Sequence, residues 1–293
     1  MITVTFEKDN ELLLGVKIEK GILDVKAALE SFLDATAPAS VSEMIEKGLE
    51  GQAKLQALVE RSISEGLPLL EEKELRFGPC VPNPSKIICV GLNYKKHADE
   101  CNLDYPPEPL LFSKFANSLA GQAEDIPLPA VSRQVDYEAE LCLVIGKECK
   151  NIKKEEALDY VYGYCAANDV SARDLQFKSS QWLLGKTCDK FSPIGPYLVS
   201  AEEINNPQNL RVQTWVNGEK RQDSNTEDMI FHCDEIVSYI SEHMTLYPGD
   251  IILTGTPEGV ITGYPEGNRV WLKKGDVVTV EIEKLGSLTN RFV

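Results

Sequence analysis

From its first residues the chain alternates. Ile2, Val4 and Phe6 are apolar and Thr3, Thr5 and Glu7 are polar, the period of a strand with one buried face. A second apolar run follows the polar stretch Lys8-Asp9-Asn10-Glu11, so residues 1–20 are predicted to form two short strands joined by a turn. The period then changes to three and four residues, which predicts helices over 24–33 and 42–64. The second is expected to start at Ser42, with Glu43 in its first turn, where the helix dipole favours negative charge. Val81-Pro82-Asn83-Pro84-Ser85 ends any helix, because proline brings no backbone donor. Taken as a boundary, it divides the chain into a small N-terminal α+β domain, 1–80, and a larger domain, 84–293.

Beyond the boundary the texture is that of short strands and tight turns. Strands are predicted over 86–90, 138–145, 161–168, 197–200, 211–216, 250–254 and 277–283. Asn217-Gly218 between two strand-like runs signals a hairpin. Short helices are predicted after Asn93, Lys153 and Ala172, and a longer one over 229–243. So many strands at short spacing favour a closed or rolled β architecture, and the fold class is α+β, mainly β.

Composition narrows the function. The formal net charge of the 293 residues is −16, which argues against nucleic acid and anionic membranes as partners. No apolar run approaches membrane-spanning length, and the N-terminus shows no basic-then-apolar leader. The eight cysteines contain no C-x-x-C pair and several lie in apolar runs. That spacing argues against a zinc site built from them and reads as buried free thiols in a reducing cytoplasm.

The chemistry concentrates in Asp136-Tyr137-Glu138-Ala139-Glu140, at the head of an apolar run. Residues two apart on a strand share a face, so Glu138 and Glu140 are expected side by side. Two adjacent carboxylates repel unless a cation lies between them. Asp169, at the end of the predicted strand 161–168, offers a third. An all-oxygen set suits a hard cation, Mg²⁺ or Mn²⁺, with Ca²⁺ also possible by donor type alone. Three protein ligands leave positions open for water and a chelating substrate. By itself an E-x-E pair is a weak motif that a solvated strand face would also explain.

The weight comes from the motifs around it: Val90-Gly91-Leu92-Asn93-Tyr94-Lys95-Lys96-His97, Leu111-Phe112-Ser113-Lys114, the acidic strand head, Asn168-Asp169-Val170-Ser171-Ala172-Arg173-Asp174, Gly185-Lys186, Val216-Asn217-Gly218, and Pro248-Gly249-Asp250 through Thr254-Gly255-Thr256-Pro257-Glu258-Gly259-Val260. In this order the chain resembles the fumarylacetoacetate hydrolase family over nearly all of residues 84–293. The resemblance implies a β-roll catalytic domain, a homodimer, a Mg²⁺ or Mn²⁺ cofactor, and action on 2-oxo acids or β-dicarbonyl acids through enolates. The first 80 residues resemble the small, variable extra domain of some members.

The resemblance also implies roles. His97 and Glu100 stand three apart on a predicted short helix, and the carboxylate would orient the imidazole as the group that activates water or moves a proton. A solvated polar helix face is the plain alternative. Lys186 would stabilise an enolate or alkoxide oxygen. Arg173, Gln176, Thr256 and Lys114 are assigned to substrate contact. Structural readings stand beside these: an ion pair with Asp174 or another carboxylate for Arg173, a plain turn for Thr256, and support of a ligand carboxylate for Lys114. The expected substrate is a small 2-oxo acid that chelates the metal. Hydrolysis of a C–C bond in acylpyruvate-type acids is placed first, because of the His97–Glu100 pair. Decarboxylation or keto–enol isomerisation of oxaloacetate-like or 2-oxo-diene dicarboxylic acids is the alternative. A non-catalytic binding protein would be expected to lack a ligand or His97, and a calcium-stabilised structural domain would close its coordination with protein groups.

Overall fold

A computed structural model describes residues 1–33 and 35–293. Before the proline-rich boundary lie strands β1 (Ile2–Lys8), β2 (Glu11–Ile18) and β3 (Gly21–Asp24) and helices α1 (Val25–Phe32) and α2 (Val41–Ser64). After it come β4 (Ile87–Gly91), the short helix α3 (Lys95–Glu100) and β5 (Leu110–Lys114). The two-residue strands β6 (Leu119–Ala120), β7 (Asp125–Ile126) and β8 (Val135–Asp136) lead into the long pair β9 (Ala139–Ile145) and β10 (Val161–Asn168). Then follow β11 (Ser171–Ala172), helices α4 (Arg173–Gln176) and α5 (Leu183–Lys186), and β12 (Ser192–Ser200). The chain closes with the hairpin β13 (Arg211–Val216) and β14 (Glu219–Asn225), helix α6 (Cys233–His243), β15 (Ile251–Leu253), and the hairpin β16 (Val277–Ile282) and β17 (Gly286–Phe292).

A ten-stranded mixed sheet runs β3-β2-β1-β12-β10-β9-β15-β4-β5, with β6 beside β12, and a five-stranded sheet runs β14-β13-β16-β17-β7. The expected mainly-β α+β roll is what forms. The smaller sheet packs on the middle of the larger one. Ala139, Leu141, Leu143 and Ile145 of β9 enter the core shared with Val278, Val280 and Leu288. The opposite side chains, Cys142 and Val144, join a second core with Met44, Ile45, Leu55 and Leu58 of α2. The N-terminal segment thus does two things. It extends the large sheet through the β1–β12 pairing, with Ile2 opposite Val199, and its helices cover the sheet's second face. Strand β9 is therefore buried on both faces, and apart from Glu140 its sequence runs apolar without alternation.

Local chemistry explains where the elements begin and end. Helix α1 is capped by Asp24, whose carboxylate accepts from the Ala27 N–H. Helix α2 starts one residue before the expected Ser42. Ser40 accepts from the Glu43 N–H at 3.2 Å while Glu43 accepts from the Ala39 N–H at 2.8 Å, close to a capping box, with the cap two residues before the expected start. Gly48 breaks the same helix, with φ +52°. Helix α6 begins at Cys233 rather than 229, because Met229 bridges to Tyr94 and the Ile230 N–H donates to the Asn93 carbonyl. Strand β12 begins five residues before 197, a stretch masked in sequence by Pro193, Gly195 and Pro196. Strand β17 escaped prediction because a polar residue, Asn290, occupies an inward position, where it donates to the Gly121 and Glu124 carbonyls. The Asn217-Gly218 hairpin forms as expected, both residues lying at positive φ, 51° and 83°.

Candidate metal centre and active site

Register brings the acids together. In the β9–β10 ladder Ala139 faces Asn168 and Glu140 faces Ala167. The Asp169 N–H, just past the end of β10, donates to the Glu138 carbonyl, and the Glu138 N–H donates to the Asn168 side chain. Carboxylate oxygens of Glu138, Glu140 and Asp169 come to lie within 4.8 Å of one another, and all three residues are buried. Burying three like charges so closely is prohibitive without compensating positive charge.

Three cations supply part of it. Lys186 donates to Glu138 at 2.6 Å and to Asp169 at 2.9 Å. Arg173 reaches Glu138 at 2.7 Å, and Lys114 pairs with the other oxygen of Asp169. Glu140 differs. Among the described residues it meets no cationic side chain at salt-bridge distance, and it accepts only the Gly255 N–H at 2.8 Å. Gly255 stands at φ +97°, a conformation that glycine adopts without strain. The electrostatics follow this division. Burial alone would raise the Glu138 carboxyl, but Lys186 and Arg173 outweigh it and hold it at about 2. Burial, then the Asp169 and Glu138 carboxylates, push Glu140 well above the usual carboxylate range. A divalent cation is the group that would relieve Glu140, and the all-oxygen donor set fits a hard one. The residues that would hold it are Glu138, Glu140 and Asp169.

A cavity of about 90 Å³ opens onto this floor. Glu138 and Glu140 line it, Leu92, Phe112 and Trp182 give it apolar walls, and His97 forms part of its rim. The imidazole Nδ1 lies 2.8 Å from Glu100 Oε1, and Glu100 Oε2 accepts the Gly259 N–H at 3.0 Å. The carboxylate is thus anchored at one oxygen and orients the ring with the other. Burial would lower the His97 pKa, but the contacts with Cys101 and Glu100 outweigh it and lift it to about 9.

The other predicted residues divide. Lys186, Arg173, Gln176 and Thr256 line the cavity; Lys114 does not. Its ammonium is fully buried against Asp169 and the carbonyls of Val170 and Phe191, so it supports a carboxylate instead of meeting substrate. Arg173 pairs with Asp136 and Glu138, not with Asp174, which instead accepts from Ser132 and the Arg133 N–H. Gln176 accepts from Arg173 at 3.0 Å, and the Thr256 hydroxyl accepts from Gln222 at 2.9 Å. Sequence reading missed Asp136, which is fully buried and accepts from Arg173 and from the Ile261 and Thr262 N–H groups. Its signal was present: it stands two residues before Glu138, on the same strand parity. Asn93 was also missed. Its side chain ties β4 to the 231 and 254 backbones, close beneath α3.

Comparison with known proteins bears on this site. The pattern described as fumarylacetoacetate (FAA) hydrolase C-terminal matches residues 86–293. The bovine mitochondrial oxaloacetate tautomerase FAHD2A is 45% identical over 275 residues, 93% of this chain and 84% of that protein. Among solved structures, a fumarylacetoacetate hydrolase from psychrophilic Exiguobacterium antarcticum superposes with a TM-score of 0.83 at 35% identity, covering 100% of this chain and 99% of that one. Maleylpyruvate hydrolase from Sphingobium sp. SYK-6, in complex with manganese(II) and pyruvate, gives a TM-score of 0.80 at 30% identity, with the same coverage. The expectation of a cytoplasmic protein is overturned here: the bovine tautomerase and its human and Xenopus laevis counterparts, each of these two 42% identical to this chain, are mitochondrial. Free thiols bear on secretion and say nothing about which reducing compartment holds a protein.

Proposed function

The chain belongs to the fumarylacetoacetate hydrolase family, and we propose that it is a tautomerase that interconverts the keto and enol forms of a small 2-oxo dicarboxylic acid of the oxaloacetate type. The observation that carries this reading is the His97–Glu100 pair at 2.8 Å on the rim of the cavity floored by Glu138 and Glu140. Tautomerisation moves one proton between C3 and the oxygen on C2, so one oriented acid–base group is enough. With Nδ1 engaged by Glu100, Nε2 is the nitrogen left to carry that proton. Its raised pKa suits an imidazolium that protonates an enolate carbon better than a neutral base that must activate water. A divalent cation at the acidic triad would supply the positive charge that stabilises an enolate oxygen. Lys186, balanced between Glu138 and Asp169, keeps the floor near neutrality so that an anionic substrate is not repelled. Arg173 and Gln176 offer polar groups to its carboxylates. Phe112 and Trp182 limit access of water.

Acylpyruvate hydrolysis, placed first from the sequence, becomes the second reading, because the 45% identical bovine relative is an oxaloacetate tautomerase. The likeness to a maleylpyruvate hydrolase keeps it in view. The deciding assay follows the enol absorbance of oxaloacetate with Mn²⁺-loaded protein, with CO₂ and pyruvate measured separately and an acylpyruvate as second substrate. Enol–keto exchange faster than either cleavage is expected. Pyruvate release from the acylpyruvate with no acceleration of exchange would overturn the proposal.

A further inference from the structure

We propose that His97, Glu100 and Cys101 form a second cation site, one that takes a thiophilic ion such as Zn²⁺, and that filling it stops the reaction. The three stand at i, i+3 and i+4, His97 and Glu100 on α3 and Cys101 at its C-cap in helical backbone conformation, so they share one face. One donor atom from each, imidazole nitrogen, carboxylate oxygen and thiol sulfur, lies within 4.8 Å of the others. Nδ1 is 2.8 Å from Glu100 Oε1 and 4.0 Å from Cys101 Sγ. A tetrahedral zinc, bonded at roughly 2.0–2.3 Å, spaces its donors about 3.3–3.6 Å apart. The imidazole and carboxylate would part slightly and the thiol would close in, adjustments that side-chain rotation can supply.

The carboxylate is already held for such a role. Its second oxygen accepts the Gly259 N–H, and Gly263 leaves open the space it occupies, since a Cβ there would lie 2.4 Å from the Glu100 carboxyl carbon. His97 and Cys101 both line the cavity, so the fourth position of the ion faces solvent or substrate. The two sites would sort cations by chemistry: nitrogen, oxygen and sulfur on the rim, oxygen alone on the floor. Binding requires the thiolate and the neutral imidazole, so the thiol proton and any second imidazole proton pass to solvent, with no change of oxidation state. With Nδ1 on the ion the ring can no longer become an imidazolium, and Glu100 can no longer orient it. That consequence rests on the tautomerase reading; the site itself does not.

The test uses Mn²⁺-loaded protein titrated with Co²⁺ as a spectroscopic stand-in for zinc. A thiolate-to-cobalt charge-transfer band in the near ultraviolet is expected at one equivalent, displaced by Zn²⁺ and lost in Cys101→Ser. Zinc inhibition is then measured for each protein against its own uninhibited rate, and C101S is expected to need at least ~10-fold more zinc. A band at one equivalent supports the site even if the protein fails to exchange oxaloacetate, so the two proposals fail separately. No band, a band that persists in C101S, or equal zinc sensitivity of the two proteins would overturn it.

Discussion

Glu140 lies within β9, and Glu138 and Asp169 flank the paired ends of β9 and β10, strands with a partner on either side: β9 between β10 and β15, and β10 between β9 and β12. His97 and Glu100 ride on a six-residue helix tied down by two hydrogen bonds from its ends, Lys96 N–H to Asp228 and Gly259 N–H to Glu100, and by the fully buried Ala98. The floor of the cavity gathers four buried carboxylates, counting Asp136, against three buried cations, and a small displacement of any one leaves a charge unpaired at low dielectric. The rim carries a single oriented pair whose work is to hold and release a proton. The contrast teaches where each kind of chemistry can be mounted. Clustered charge needs a frame that does not yield, whereas a proton-transfer group needs orientation and an opening.

The sharpest way to break this contrast is Glu138→Gln. It leaves Arg173 and Lys186 each short of a carboxylate, and the metal-free protein should lose about 3–5 kcal/mol in a denaturant titration, the cost of breaking a buried pair. An unchanged midpoint would mean that the floor is not an electrostatic unit.

His97→Ala tests the rim. Exchange of oxaloacetate should slow by roughly 10²–10⁴-fold, while divalent affinity and the unfolding midpoint stay near wild type. A large fall in Mn²⁺ affinity by calorimetry would merge the two regions that the structure separates. Glu100→Gln should act in the same direction and less, about 10–100-fold, because it removes the carboxylate that orients the ring while leaving the ring in place. Loss of fold in that variant would show that Glu100 serves chiefly to anchor α3 to Gly259.

The smallest effect is expected at Glu140, within the floor itself. Glu140→Gln removes a carboxylate that has two acidic neighbours and, among the described residues, no cationic side chain at salt-bridge distance, and the amide oxygen can still accept from Gly255. Stability without metal should therefore change by less than about 1 kcal/mol. Wild-type protein should gain about 2.7 kcal/mol from Mn²⁺ at one hundred times its dissociation constant, and the variant should gain far less at the same concentration. If both proteins respond equally to Mn²⁺, the cation does not sit on Glu140.

Much of this site was legible in one dimension. The Glu138-Ala139-Glu140 spacing needs only strand parity to place two acids together, and His97 and Glu100 need only helical spacing. Asp136 obeyed the same parity and was passed over, since nothing local says that a carboxylate will anchor an arginine 37 residues away. Cys101 was judged by cysteine spacing alone, which cannot show a mixed donor set one residue beyond a glutamate. Lys114 was placed toward substrate because its motif was recognised but not the side from which it reaches Asp169. The preference for hydrolysis came from the same dyad that now supports proton transfer. The residues that handle a proton are common to both reactions.

What the order of residues determined by itself was local: the alternation that makes β1, the period that makes α1 and α2, the turn at Asn217-Gly218, and which acidic side chains share a strand face. Tertiary structure alone decided how charge is shared. Which lysine meets Asp169, that Glu140 is left without one, and that the first 80 residues cover the second face of the large sheet all depend on register between segments far apart in the chain. Residue spacing controls neighbours within a turn or two, because short-range geometry is nearly fixed by φ and ψ. The balance among buried charges is set by packing at low dielectric, where displacements of an ångström change energies by more than any local propensity.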